Sequence, residues 1–202
     1  MQSLSEEQLR SLTPTQVAAF TSTQVQSLTA SQLDAIDILG DQVKYLTTKQ
    51  LNGLSTDQVQ SIGSSQIGAL TATQIKVLTT SQVQALTDTQ VQNLSANQVR
   101  ALTNAQVTAL TTGQISALSA DNIGVLNTAQ IQALSATQVQ KLSDEQMGAM
   151  LNGQVSALKT DQINQLSNDQ IAALSTSAIA ALTTAQVKAL GSDQLQSLSD
   201  SQ

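Results

Sequence analysis

The chain has no cysteine, no histidine and no tryptophan, and its aromatic residues are one phenylalanine, Phe20, and one tyrosine, Tyr45. Each absence excludes something. Without cysteine there are no disulfides, thiolate metal sites or thiol nucleophiles. Without histidine the commonest general base is missing too. Compact cores lean on aromatic side chains for buried area, so the core implied here is thin and aliphatic. Charge is scarce as well: 11% of the 202 residues are charged and the net charge is −6. A nucleic-acid partner calls for a clustered basic footprint, and an anionic membrane surface for a polybasic patch; neither is present. No apolar run approaches the ~18 residues of a membrane span. The opening MQSLSEEQLR has no basic n-region and no apolar h-region, so it is read as array rather than secretory leader. No catalytic, cofactor-binding or metal-ligating residue is nominated, and the expectation is a protein without enzymatic activity.

What is present is one phrase, repeated. Numbered 1 to 8 from its leucine, the unit begins at Leu4, Leu12, Phe20, Leu28, Ile38 and Leu46, then at every eighth residue to Leu198, giving 25 registers. Position 1 is Leu in 21 of them, position 2 is Ser or Thr in 19, and position 5 is Gln in 23, failing only at Asn122 and Ala178. Position 6 is always Val, Ile, Leu or Met, and position 8 is mostly Ala or Ser, while positions 3, 4 and 7 vary freely. The register slips once, where Ile36 and Asp37 are two extra residues before Ile38. With no linker in sight, residues 1–202 read as a single octapeptide-repeat array, beginning and ending in mid-repeat as a piece of a longer protein would.

Two architectures compete for such a unit. A parallel β-solenoid would place two repeats in each coil of about sixteen residues and stack the glutamines in ladders. An all-α solenoid would make each repeat one very short helix. Local chemistry favours helices. Ser/Thr at 2 and Gln at 5 have the capping-box spacing, and positions 1 and 6 are then the N′ and N4 partners of a hydrophobic staple. Pro14 falls at N1, where its missing N–H costs nothing. Twelve of the 14 acidic residues sit at 3 or 4, and six of the eight basic residues at 7 or 8, the polarity a helix dipole prefers. One continuous helix is excluded, because eight residues drift the apolar stripe by about 80° per repeat. Isolated two-turn helices are marginal in water. The prediction is therefore an all-α stack of about 24–25 short capped helices, each supported by its neighbours. The number of repeats per coil does not follow from the pattern.

Candidate chemistry is thin. The pairs Glu6-Glu7 and Asp144-Glu145 could nominate cation sites, but solvated carboxylates at helix N-termini are the favoured reading. Rows of Thr on a rigid solenoid could bind ice, but the position-2 hydroxyls are already assigned to capping and position 3 is mixed. The irregular repeats, Ile36–Tyr45 and Met147–Leu151, are read as local adjustments in the stack, and they are also the best guesses for a contact site.

The motif L-[ST]-x-x-Q-[VI]-x-A, as in LTTSQVQA at Leu78 to Ala85, resembles the octapeptide arrays of very large bacterial secreted or surface proteins. That resemblance implies an extracellular or cell-surface setting. It implies a structural role as stalk, spacer or display scaffold, with other domains of the same protein as partners. An adhesin-like surface for protein or glycan is the alternative. It brings no cofactor and no site residues.

Overall fold

The computed structural model describes residues 3–35 and 42–202. Among the described residues there are 23 α-helices and no strand, each helix five or six residues long, from Glu6–Arg10 to Ser192–Gln196. The all-α reading is correct, and the β-solenoid is set aside. Two repeats depart from the α form. Gln42–Tyr45 is a 3-10 helix, and the last repeat, beginning at Leu198, closes in a turn. The extra residues Ile36 and Asp37 lie outside the described residues.

Each helix starts and stops for local reasons. In the helix Thr80–Ala85 the N-cap Thr79 is extended, at φ −68° and ψ 160°. Its hydroxyl accepts from the Gln82 N–H at 3.1 Å, and the Gln82 side-chain oxygen accepts from the Thr79 N–H at 2.8 Å. These bonds satisfy donors that a helix N-terminus otherwise leaves orphaned. At the other end Leu86 is extended, at φ −56° and ψ 138°, and donates its N–H to the Val83 carbonyl. Two consecutive extended residues, the Leu and the Ser/Thr, thus reverse the chain between helices. Among the described residues no glycine adopts a positive φ, so the turn needs no left-handed residue, and an octapeptide with few glycines can make it repeatedly.

The chain divides into two compact units, residues 1–102 and 103–202. In each, a helix packs against the helix three repeats away. In the first unit Thr56–Ser61 lies on Thr80–Ala85, and Ala72–Lys76 on Ala96–Ala101. In the second, Asn104–Ala109 lies on Thr128–Ala133, which lies on Asn152–Ala157. A coil is therefore three repeats. Position 6 forms the inner row and position 1 the row beside it, both buried: Val83 is 0% and Leu86 5% exposed. A helix of two turns exposes too much of itself to persist alone. Here a coil below and a coil above cover it.

Candidate functional site

The position-5 glutamines are the most constrained polar groups in the chain. Gln162 is 0% exposed and Gln82 2%. A buried amide must find partners or cost stability, and these do. Beyond the capping bond, the Gln82 Nε2 donates to the carbonyls of Leu51 and Leu54, both at 2.8 Å. Gln162 repeats the arrangement, accepting from the Lys159 N–H at 2.7 Å and donating to Ile131 at 3.0 Å and Leu134 at 2.7 Å. One side chain starts its own helix through its oxygen. Through its nitrogen it takes up carbonyls of the coil below, at the end of one helix and the entry to the next. The capping box accounts for the oxygen but not the nitrogen. The missed signal lay in the choice of amide over acid. Glutamate also completes a capping box, yet the three glutamates, Glu6, Glu7 and Glu145, avoid position 5. A carboxylate accepts and cannot donate.

These bonds also register the slip. Away from it, glutamines reach carbonyls 31 and 28 residues earlier. Across it the offsets become 33 and 30, as for Gln50 to Val17 and Phe20, and Gln58 to Val25 and Leu28. The difference equals the two extra residues, so coils on either side keep the same relation.

Position 7 is not free, contrary to the pattern-based expectation. It lies against the position-8 carbonyl of the coil above. Asn52 donates to the Val77 carbonyl at 2.9 Å, Thr108 to Ala133 at 3.0 Å and Ser116 to Lys141 at 2.9 Å. Where glycine fills the row, an added Cβ would sit 2.9 Å from the Asn93 carbonyl at Gly68, and 3.2 Å from the Ala149 carbonyl at Gly124. The row tolerates donors and small residues. The signal was its lack of large apolar side chains.

The nominated irregularities fare differently. Tyr45 is 39% exposed, with the Lys44 ammonium 5.4 Å from its ring centre; the preceding residues 36–41 lie outside the described residues. Leu151 occupies an N-cap without a hydroxyl and is 63% exposed, so of the two capping-box bonds it keeps the one from its N–H to the Gln154 side chain. The exception Ala178 belongs with it. Gln170 reaches Val139 and Leu142, and Gln186 reaches Val155 and Leu158. The same offsets aim Ala178 at Met147 and Met150. Two oddities distant in sequence are thus stack neighbours, and among the described residues those two carbonyls receive no side-chain donor.

The acidic pairs are helix N-terminal. Glu6 bonds Arg10 at 3.1 Å on an exposed flank, and Asp144 and Glu145 are exposed in the first turn of Asp144–Gly148. Among the described residues no group of three or more acidic side chains is placed to hold a metal ion. The position-2 hydroxyls are turned to the helix N-termini, as capping requires. Two shallow surface grooves, about 360 and 290 Å³, run between neighbouring helices. The smaller is lined by Thr56, Asp57, Gln60, Ser81 and Gln84, largely from the variable positions.

The repeat is that of a known family. Its sequence profile, the ALTTAQ repeat, matches residues 41–72, 91–120, 145–176 and 165–200, together more than half of the chain. The chain belongs to the ALTTAQ repeat family. The octapeptide array is therefore established. A search of the curated proteins found no match. No helix among the described residues of this ALTTAQ array is long and apolar enough to cross a membrane.

Proposed function

We propose that the ALTTAQ array is a non-enzymatic scaffold, a stalk or spacer that holds other domains of a secreted or cell-surface bacterial protein apart, and that residues 1–202 act as one array. The observation that carries this reading is the division of labour within the repeat. Positions 1, 2, 5 and 6 are consumed by capping and coil-to-coil bonding, position 7 by contact with the coil above, and the outward positions 3 and 4 share no chemistry from repeat to repeat. Among the described residues nothing converges on a reacting centre. A solenoid of this kind adds length in equal steps. The test is a series carrying dyes at Ser11 and Ser199 with zero, one or two inserted 24-residue coils. The mean dye separation should grow by equal steps; no growth would sink the spacer.

A second reading has its own observation: Tyr45 and Leu151 are large apolar side chains exposed at irregular repeats. In that reading the side of the array binds a surface protein or glycan. Tyr45→Ser with Leu151→Ser should abolish capture on a panel of bacterial-surface glycans and proteins. Capture that survives, or never occurs, favours the scaffold.

A further inference from the structure

The dipeptide Asn-Gly occurs twice in the chain, both times behind a leucine: Leu51-Asn52-Gly53 and Leu151-Asn152-Gly153. Asparagine before glycine is prone to lose its side-chain amide, because glycine has no Cβ to hinder attack by its own nitrogen and leaves the backbone free to turn. The reaction needs a side chain free to swing, a glycine N–H not held by a carbonyl, and room for a five-membered ring. At Asn52 each is denied. Asn52 ends the helix Thr48–Asn52, and its Nδ2 donates to the Val77 carbonyl of the coil above at 2.9 Å. The Gly53 N–H donates to the carbonyls of Lys49 and Gln50 at 3.2 and 3.1 Å. An atom added at Gly53 would sit 2.9 Å from the Gln26 Nε2, which bonds the Gly53 carbonyl at 2.6 Å. At Asn152 all three are met. Asn152 opens the helix Asn152–Ala157, so Gly153 is at N2, where a helix leaves the N–H without an internal partner. Among the described residues neither the Asn152 side chain nor the Gly153 N–H has a hydrogen-bond partner. Both residues are exposed, and a Cβ added at Gly153 would meet nothing within 4 Å. The turn is also loosely started. Leu151 gives it no hydroxyl cap, whereas Thr79 and Ser143 each bond the N3 amide of their own helices at 3.1 Å.

We infer that Asn152 is a site of spontaneous deamidation and that the stack protects Asn52 from the same reaction. The Gly153 nitrogen attacks the Asn152 Cγ. The Cγ–Nδ2 bond breaks, and the amide nitrogen leaves as ammonia with the proton that Gly153 gives up. The succinimide that remains takes up one water. Opening at Cγ gives aspartate. Opening at the backbone carbonyl gives isoaspartate, which carries the chain through the side-chain carbon. Either product adds one negative charge. Aspartate fits the position, because Asp88 and Asp144 already occupy N1 of their helices, where the dipole favours an acid. Isoaspartate does not fit. It lengthens the backbone by one atom between Leu151 and Gln154, whose side chain caps this helix and bonds the carbonyls of Ile123 and Leu126 in the coil below. The isoaspartyl product therefore loosens a coil-to-coil link that the aspartyl product keeps. This chemistry is independent of what the array carries or binds.

The test is timed incubation of the full folded chain at neutral pH, followed by digestion and mass spectrometry of the peptides that hold Asn52 and Asn152. Isoaspartate is separated from aspartate by chromatography. Asn152 should convert about tenfold faster than Asn52, because ring closure at Asn52 must first open the side-chain bond to Val77 and the bonds of the Gly53 N–H. The same chain in denaturant is the internal control. With leucine before each asparagine and glycine after it, the two should then convert at nearly equal rates, so the difference belongs to the fold. Gly153→Ala puts a methyl where the structure has room for it. It should all but stop conversion at Asn152 and leave the circular dichroism as in the parent. Equal rates in the folded chain overturn the inference. So does faster loss at Asn52, an Asn152 that stays intact in the folded chain after the denatured chain has converted, or conversion that continues undiminished in Gly153→Ala.

Discussion

Three successive repeats near the C-terminal end differ at one position and behave differently. The helices Asn168–Ala172 and Thr184–Ala189 carry Gln170 and Gln186, each capping its own helix and bonding two carbonyls of the coil below. Between them Thr176–Ala180 carries Ala178, which is fully buried, keeps the hydroxyl cap from Ser175 and does nothing else. The helix forms either way. What Ala178 forgoes is the link to the coil below, at Met147 and Met150. Helix initiation and coil stacking are thus separable. The hydroxyl starts the helix, whereas the glutamine both starts it and joins it to another coil. The hydroxyl start recurs at Asn122, whose N–H bonds the Ser119 hydroxyl at 3.1 Å.

The sharpest way to break this comparison is Gln162→Glu. The oxygen half of the role survives, but a carboxylate is buried against two carbonyl oxygens. Removing one partner of a buried polar set and leaving charge behind costs about 3–5 kcal/mol, so a denaturant melt at neutral pH should show a loss of that order. Burial raises the introduced carboxyl's pKa in the folded state above its unfolded value of about 4.3. The folded state then binds the extra proton, so the penalty grows as pH rises through the interval between the two values. It shrinks below about pH 4, where the protonated acid can donate again. Melts at two pH values, referenced to the parent, check the sign.

Gln162→Ala removes both halves. It leaves the Lys159 N–H and the carbonyls of Ile131 and Leu134 without their partner, and should cost about 2–3 kcal/mol by the same melt. The reverse change, Ala178→Gln, should restore the missing link and raise stability by about 1–2 kcal/mol; a loss would mean that the coil beneath Ala178 has closed over the space. The smallest effect is expected from Leu151→Ser. It restores an N-cap hydroxyl and removes an exposed leucine, for a gain of about 0.5–1 kcal/mol, readable as a small rise in melting temperature.

Much of this fold is legible in the repeat itself. Thr79 and Gln82 announce a capping box by spacing alone, Leu78 and Val83 its staple, and Asp57 or Asp88 the first turn of a helix by charge. Those signals are local, and the physics that uses them acts within one repeat. The unread part is relational. An eight-residue period is silent about how many repeats close a coil, because identical units can stack at any interval. Hence the second role of Gln82 could not be seen, since its carbonyl partners Leu51 and Leu54 are identifiable only once the coil is known to be three repeats. The coupling of Ala178 to Met147 and Met150 was hidden for the same reason. Position 7 looked unconstrained because Asn52, Gly68 and Ser116 share no chemistry beyond fitting against a carbonyl. For the candidate surfaces, Leu151 stands out in the sequence by its departure from the repeat, but only its exposure makes it a surface feature.

The most direct test of the glutamine's double role is side-chain amide hydrogen exchange by NMR, with resonances assigned by single substitution. The Nε2 protons of Gln82 and Gln162 should exchange as slowly as the protected backbone amides of their own helices. Those of Gln8, whose Nε2 has no carbonyl opposite it among the described residues, should exchange at the rate of a free amide. Fast exchange at all three would contradict the account, because coils would then be held together by apolar contact alone.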